Sequence, residues 1–228
     1  MPRRLELFSG TGSIGQIFRA RGWDVVSVDC DPQMNPTIVA DIATFNYRML
    51  GGRFDALWAS PPCQMYSIAR SKAKTPRHLE GSDRLVQKVK DMIDFFHPIF
   101  GAFENPQSGL LKGRRVVEGI PYVDVDYCMY SWPYRKRTRI WTNATGQRWT
   151  RLCEHDCEAS DGKRHTNLAE MRGSKERWVY QGRALCHTAL TLRGSLFGSL
   201  WYHTLIEIGV KHLVYWSHQV DHHEAVWF

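Results

Sequence analysis

The chain has 228 residues, with 30 Lys and Arg against 23 Asp and Glu, a formal net charge of +7 and an isoelectric point near 9.2. That length suits one α/β core with an excursion rather than a string of domains, and the charge favours phosphate-bearing partners. Six cysteines argue for a reducing compartment rather than a disulfide framework, and no signal-type or bilayer-length apolar run occurs, so the expected location is intracellular, cytoplasmic or, in a eukaryotic host, nuclear.

The first strand, predicted over Arg4 to Phe8, runs into a glycine turn, Ser9-Gly10-Thr11-Gly12, and then an amphipathic stretch from Ser13 to Arg21. Glycines there let backbone approach a ligand closely. A second strand, Asp24 to Val28, ends in Asp29-Cys30-Asp31, which places an acid about 20 residues beyond the glycines, where it can accept from ribose hydroxyls. The short strand Thr37 to Ala40 delivers Asp41, an acceptor for an exocyclic adenine amine. Each acid alone could be a solvated loop charge or a cap. Together with the glycines, all at strand ends, they point to a nucleotide-type cofactor.

The next strand, Phe54 to Ala59, meets Pro61-Pro62, which cannot continue a ladder, so Cys63 emerges at the strand's carboxyl end. Ligands bind at that edge of open α/β sheets, which favours a nucleophilic thiol over a small buried hydrophobe. Directly after it, Arg70, Lys72, Lys74, Arg77 and His78 form a basic segment suited to gripping phosphates. A helix is predicted over Ser82 to Phe96, with Leu85, Val86, Val89, Met92, Ile93 and Phe96 on one face and Ser82 as its cap. Strands follow at Pro98 to Phe103, ending at Glu104, at Val123 to Met129 and at Thr138 to Trp141, where Arg137 and Arg139 alternate onto one face. Strands alternating with helices imply a doubly wound, mainly parallel Rossmann-like sheet.

In that order Phe8-Ser9-Gly10-x-Gly12, Asp29, Asp41, Pro61-Pro62-Cys63-Gln64, Glu104-Asn105 and Arg137-x-Arg139 resemble the cytosine-C5 DNA methyltransferases, from about residue 4 to residue 143, in the manner of a short, viral- or phage-like member. The resemblance implies S-adenosylmethionine held by Phe8, Ser9, Gly10, Thr11, Gly12, Ile14, Asp29, Cys30, Asp41, Ile42 and Pro61, and a flipped cytosine as substrate. Cytosine C5 is a poor nucleophile until a thiolate adds at C6, the role implied for Cys63, with Glu104 at the N3 and amine edge. Arg137 and Arg139 would lower the thiol pKa, hold the pyrimidine O2 or bind the flanking phosphate. DNA contacts are expected from Gln64, Ser67, Arg70, Lys72, Lys74, Arg135 and Lys136. Three features depart from the family pattern: Pro106 replaces the usual Val after Glu-Asn, Arg135 replaces the usual Gln, and no Gly-Asn-Ser occurs near the C-terminus.

Residues 148–181 are basic and poor in aliphatics, and such a segment often relies on a metal. Cys153, Cys157 and His165 offer three ligands of a tetrahedral zinc site, with His155 or Cys186 as the fourth. The expected organisation is a catalytic and cofactor-binding core over 1–147, a target-recognition insertion over 148–181, and a C-terminal helical segment over 182–228 that completes the core. His222-His223 has no spaced partner and reads as surface. The expected function is methyl transfer from S-adenosylmethionine to C5 of a flipped DNA cytosine through a covalent Cys63 intermediate. The same chemistry on transfer-RNA-type substrates and a non-catalytic nucleic-acid-binding accessory role are the alternatives.

Overall fold

The computed structural model describes residues 1–130, 134–144 and 150–166. Among the described residues seven strands form one sheet: β1 (Arg3–Leu7), β2 (Asp24–Asp29), β3 (Ile38–Val39), β4 (Ala56–Ala59), β5 (Phe100–Pro106), β6 (Tyr122–Asp126) and β7 (Arg137–Thr142). Their order is β3-β2-β1-β4-β5-β7-β6. The first five strands are parallel, while β7 runs antiparallel to both β5 and β6. The order reverses between β1 and β4, which opens a crevice beyond their carboxyl ends.

Alternation along the central strands buries both faces. On one face Leu5, Leu7, Leu57 and Phe103 pack with Val86, Val89, Met92 and Phe96 of helix α2 (Leu79–Phe96). Phe103 stacks on Trp141 at 5.2 Å between ring centres. The opposite face joins Val25, Trp58, Ala102 and Ile140 to Ile14 and Phe18 of helix α1 (Ser13–Arg19) and to Trp23. Each such aliphatic or aromatic side chain contributes about 1.5–3 kcal/mol by leaving water.

Two charged side chains interrupt this second face. Arg4 is 2% exposed and lies 4.0 Å from the Phe18 ring centre, with Glu6, 1% exposed, two residues along. Burial lowers the Arg4 guanidinium to about 10 against the opposing pull of Glu6, and burial raises the Glu6 carboxyl. A Cβ at Gly15 would stand 2.3 Å from Glu6 Oε2 and 3.2 Å from Val25 Cγ1, so any larger residue must displace the buried Glu6 side chain. Gly15→Ala is expected to cost about 1–3 kcal/mol through overpacking, measured as a lowered urea midpoint at unchanged m-value.

The structure moves several predicted boundaries. Strand β4 starts at Ala56 rather than Phe54, and β5 extends past Phe103 through Pro106. The expected strand Val123 to Met129 is β6 only as far as Asp126; residues 127–130 turn as a 3-10 helix. Helix α2 begins at Leu79, and Ser82 is not its cap: its hydroxyl donates back to the His78 carbonyl at 3.3 Å from inside the first turn. The early start reflects good helix formers, Leu79 and Glu80, ahead of Ser82. The β6–β7 pair is antiparallel, its link over 127–136 being shorter than the dozen or more residues that a parallel crossover needs.

Candidate active site and Cys/His centre

The carboxyl edge of the sheet gathers most of the predicted site. At the end of β1, Phe8, Gly10 and Gly12 have φ of 54°, 48° and 67°. These left-handed residues fold the chain sharply, and Ser9 is buried among them with a hydroxyl that has no hydrogen-bond partner among the described residues. Asp29, ending β2, accepts from the Gly10 amide at 2.8 Å and the Asp31 amide at 2.9 Å, one bond to each carboxylate oxygen. It therefore shapes the turn, and each oxygen keeps a lone pair for another donor. Asp41 is exposed and accepts from the Ala43 amide at 2.9 Å. Thr11 and Cys30 are exposed on this rim, whereas Ile14, at 8%, and Ile42, at 2%, are core residues beneath it.

Across the crevice, β4 ends at Ala59 and leads through buried Ser60 and Pro61 to Cys63, which is partly exposed. Its loop is braced from two directions. Asn105, fully buried, donates its side-chain amide to the Pro61 carbonyl at 2.9 Å. Tyr66, three residues past the thiol, donates its hydroxyl to Asp83 Oδ1 at 2.8 Å, and Asp83 forms a two-pronged pair with Arg114. The Leu110 amide also donates to the Tyr66 carbonyl at 2.9 Å. Burial raises the Tyr66 phenol well above its usual value, and Asp83 adds to that, so it remains a donor. Asn105→Ala should release the Pro61 anchor and leave a buried carbonyl unsatisfied, costing about 1–3 kcal/mol in stability. The loss is read as a lowered urea midpoint at unchanged m-value.

Glu104 is 2% exposed on β5. In the ladder to β7, Arg139 stands opposite Asn105 and Ile140 opposite Glu104, so the arginines and Glu104 rise from opposite faces of the strand pair. Both arginines are held by β6. Arg139 pairs two-pronged with Asp124 at 2.8 and 2.8 Å and stacks 3.6 Å from the Tyr122 ring centre. Arg137 pairs with Asp126 at 3.0 and 2.6 Å. Hydrogen bonding to these acids raises both guanidinium pKa values. Each two-pronged pair uses two of the five N–H donors of its guanidinium. A cavity of about 460 Å³ opens beside Arg139, lined also by Tyr122, Trp141 and Lys112.

The residues expected to touch DNA are more scattered. Ser67 accepts from the Ala69 amide at 3.2 Å, and Arg70 donates to the Thr75 and Pro76 carbonyls, closing its own loop. Gln64 and Lys74 are exposed. Arg135 lies 3.5 Å from Asp126, and Lys136 sits 5.0 Å from the Tyr127 ring centre. The Lys72 side chain, Cys186 and the predicted segment 182–228 lie outside the described residues.

Among the described residues, one cluster can hold a metal ion: Cys128, Cys153, Cys157 and His165, whose ligand atoms all lie within 4.8 Å of one another. The fourth member is thus Cys128, on the turn after β6, rather than His155, whose Nδ1 lies 3.4 Å from Ser160 Oγ. His165 Nε2 stands 3.4 Å from Cys153 Sγ and 3.3 Å from Cys157 Sγ. One ring N–H cannot point well at two sulfurs, whereas a lone pair aimed between them can meet a shared cation. Ligands about 2.3 Å (S) and 2.1 Å (N) from one ion stand roughly 3.5 Å apart at tetrahedral angles, close to both separations. Burial opposes ionisation of Cys153, yet the His155 amide, 3.3 Å from its sulfur, and bonds from the neighbouring cysteines bring the thiol below its ordinary value. Burial pushes the Cys128 thiol up, and the other two cysteines add to it.

Cys128, Asp124 and Asp126 were not among the expected site residues. The acids had a sequence signal: Asp124-x-Asp126 faces Arg137-x-Arg139 across an antiparallel pair, opposite charges at matched two-residue spacing.

A parallel sheet with a glycine turn and an acid on one side of its switch point, and a thiol on the other, defines a Rossmann-like enzyme scaffold for a nucleotide-type cofactor. A family model described as C-5 cytosine-specific DNA methylase matches residues 3–116. The "Probable DNA (cytosine-5)-methyltransferase" of Frog virus 3 (isolate Goorha) is 35% identical over 159 residues, covering 63% of this chain and 72% of that relative. The chain belongs to the C-5 cytosine-specific DNA methylase family. In fold it resembles the Entamoeba histolytica methyltransferase EhMeth, with a TM-score of 0.50 at 16% identity over 65% of this chain and 54% of that one. The S. pombe Dnmt2 methyltransferase aligns with a TM-score of 0.47 at 19% identity over 64% and 52% of the respective chains. The chain therefore spans about half the length of these two solved relatives. No helix among the described residues is long and apolar enough to cross a membrane.

Proposed function

We propose that this chain methylates C5 of a cytosine extruded from duplex DNA, with Cys63 as the covalent nucleophile and S-adenosylmethionine as donor. The observation that carries the reading is the pairing of a glycine turn containing the unpartnered Ser9 hydroxyl with the braced Pro61-Pro62-Cys63 loop, one on each side of the β1/β4 switch point. Ser9, Gly10, Gly12 and Asp29 fit a cofactor bearing amino-acid and ribose groups, with Asp41 on the exposed rim for the adenine amine. When bound, S-adenosylmethionine supplies the methyl group that C5 accepts.

The chain's own residues prepare the ring. Cys63 as thiolate forms a bond to C6, and the displaced π electrons make C5 nucleophilic. Glu104 holds a proton at the N3 edge, offsetting the charge that sulfur addition puts on the ring. Arg137 and Arg139, oriented by Asp126 and Asp124, offer their remaining N–H groups to pyrimidine oxygen or the flanking phosphate. After methylation, loss of the C5 proton to a base and expulsion of the Cys63 sulfur restore aromaticity. The basic segment around Arg70 and Lys74, with Gln64, Ser67, Lys72, Arg135 and Lys136, serves phosphate contact.

We assign residues 1–147 to the catalytic core and 148–181 to a target-recognition insertion, while 182–228 lies outside the described residues. The Cys/His cluster is the seat of a zinc ion, whose preference for tetrahedral thiolate and imidazole donors matches this set. An enzyme of this kind works inside the cell, where DNA lies.

Incubation with duplex DNA containing 5-fluorocytosine and S-adenosylmethionine tests the reading, because fluorine cannot leave as a proton does and sulfur stays bonded to C6. A denaturation-resistant adduct mapping to Cys63 is expected. Its absence on DNA, with an adduct on folded 5-fluorocytosine RNA, would transfer the activity to RNA; absence on both would leave a non-catalytic binder.

A further inference from the structure

Asp126 lies between the Cys/His centre and the arginine pair. Its side chain is fully buried, and Oδ2 accepts both from the Cys153 amide at 2.9 Å and from Arg137 Nη2 at 2.6 Å. Oδ1 accepts from Arg137 Nε at 3.0 Å and lies 3.5 Å from Arg135 Nε. The Asp126 amide in turn donates to the Arg151 carbonyl at 3.0 Å, and the Tyr127 amide to the Lys136 carbonyl at 3.2 Å. Two residues past Asp126, Cys128 enters the ligand cluster. The segment 151–165 is thus joined to the sheet at two kinds of point: backbone bonds around Asp126 and a shared ligand set. Among the described residues, the ligand set joins this segment to the turn after β6 alongside those hydrogen bonds, and a bound ion would add the strongest of these attachments.

We propose that a metal ion bound by Cys128, Cys153, Cys157 and His165 sets the position of Asp126, and through it aims Arg137 and Arg135 at the nucleic acid. Asp126 is a positioning residue: it touches no substrate and works through the two guanidinium groups. The cluster closes all four tetrahedral positions with protein atoms, so it is a structural centre that offers no open site for a reacting water. A backbone amide bound to the carboxylate that holds Arg137 transmits the loop's position directly, because moving Cys153 removes a donor from a buried acid. The arrangement makes nucleic-acid affinity depend on metal occupancy, whereas the glycine turn and Asp29, on the far side of the switch point, are independent of it. This inference rests on the methyltransferase reading for the meaning of the arginines, but its metal and binding measurements do not.

The test uses the full chain purified without chelator. One zinc per chain is expected by elemental analysis, and exchange for cobalt(II) should give the intense visible and charge-transfer absorption of a tetrahedral thiolate-rich site. Cys128→Ser should lose or weaken that metal, whereas His155→Asn should keep it at full stoichiometry. Chelation of the wild type should raise the Kd for duplex DNA about ten- to 100-fold, reversibly with added zinc, and leave S-adenosylmethionine affinity unchanged. Asp126→Asn should keep its metal, with an unaltered cobalt spectrum, and show the same loss of DNA affinity; a role confined to holding the fold would instead change metal content, cofactor affinity and thermal midpoint together. The proposal is overturned by sub-stoichiometric metal, by Cys128→Ser with full occupancy, or by chelated or Asp126→Asn protein that binds DNA as tightly as the wild type. Failure of the fluorocytosine adduct alongside intact metal-dependent DNA binding would sink the catalytic reading alone, and the converse pattern would sink only the metal coupling.

Discussion

Cys63→Ser is expected to reduce methyl transfer by on the order of 10⁴- to 10⁶-fold and to abolish the fluorocytosine adduct, the size of loss seen when a covalent nucleophile is removed. Serine keeps the shape of the side chain but exchanges sulfur for a hydroxyl that hardly ionises near neutrality and attacks a C6 carbon poorly. Cys63 is partly exposed on a loop, so its replacement should change stability by no more than about 0.5 kcal/mol. Asn105, Tyr66, Asp83 and Arg114 brace the loop through groups that the substitution leaves in place. Binding of S-adenosylmethionine and DNA should therefore persist, and an inactive but fully binding protein is the expected signature. A Cys63→Ser enzyme that turned over at more than about a hundredth of the wild-type rate would show that no sulfur bond to the base is required.

Glu104→Gln should lower kcat by about 10² to 10⁴, the usual contribution of a positioned general acid, with little change in cofactor affinity. Glutamine preserves the volume of a side chain that is 2% exposed, so cavity formation is avoided and the loss reports chemistry. Its amide can still donate a hydrogen bond to a ring nitrogen, but it cannot give up a proton as charge builds on the ring. The formation rate of the fluorocytosine adduct is the informative measurement, because it isolates sulfur addition from the later steps. Equal adduct formation rates in wild type and variant would remove Glu104 from the addition step.

These two residues need different neighbours. Cys63 depends on a loop fixed by buried hydrogen bonds from β5 and a network reaching α2, whereas Glu104 is set by its place on β5. The arginines depend on β6, which among the described residues is an edge strand contacting β7 alone within the sheet. An edge strand has partners on one side only, so anything that secures β6 from outside secures Arg137 and Arg139 as well. The Cys/His centre, which begins two residues past the end of β6, occupies that place.

The amino-acid sequence by itself determined the strand ends that carry Gly10, Asp29, Asp41 and Cys63, because each is marked by a local demand: a left-handed turn, an acid closing an apolar run, two prolines that end a ladder; Glu104, expected at a strand end, lies inside β5. It also marked Cys153, Cys157 and His165 as a group, since their donors lie within one short segment. The end of β6 was misplaced because a weak local strand preference there yields to packing, whereas the helix start was misplaced because Leu79 and Glu80 carry helix preference ahead of the expected cap. Only the tertiary structure decided that Cys128 joins the ligand set, that Asp124 and Asp126 hold the two arginines, that Asn105 anchors Pro61, and that Glu104 and the arginines approach from opposite faces. Those facts depend on the strand order and on the β5–β7–β6 register, which bring together residues far apart in the chain. Sheet register is set by the sum of long-range pairings, so no short stretch of sequence contains it.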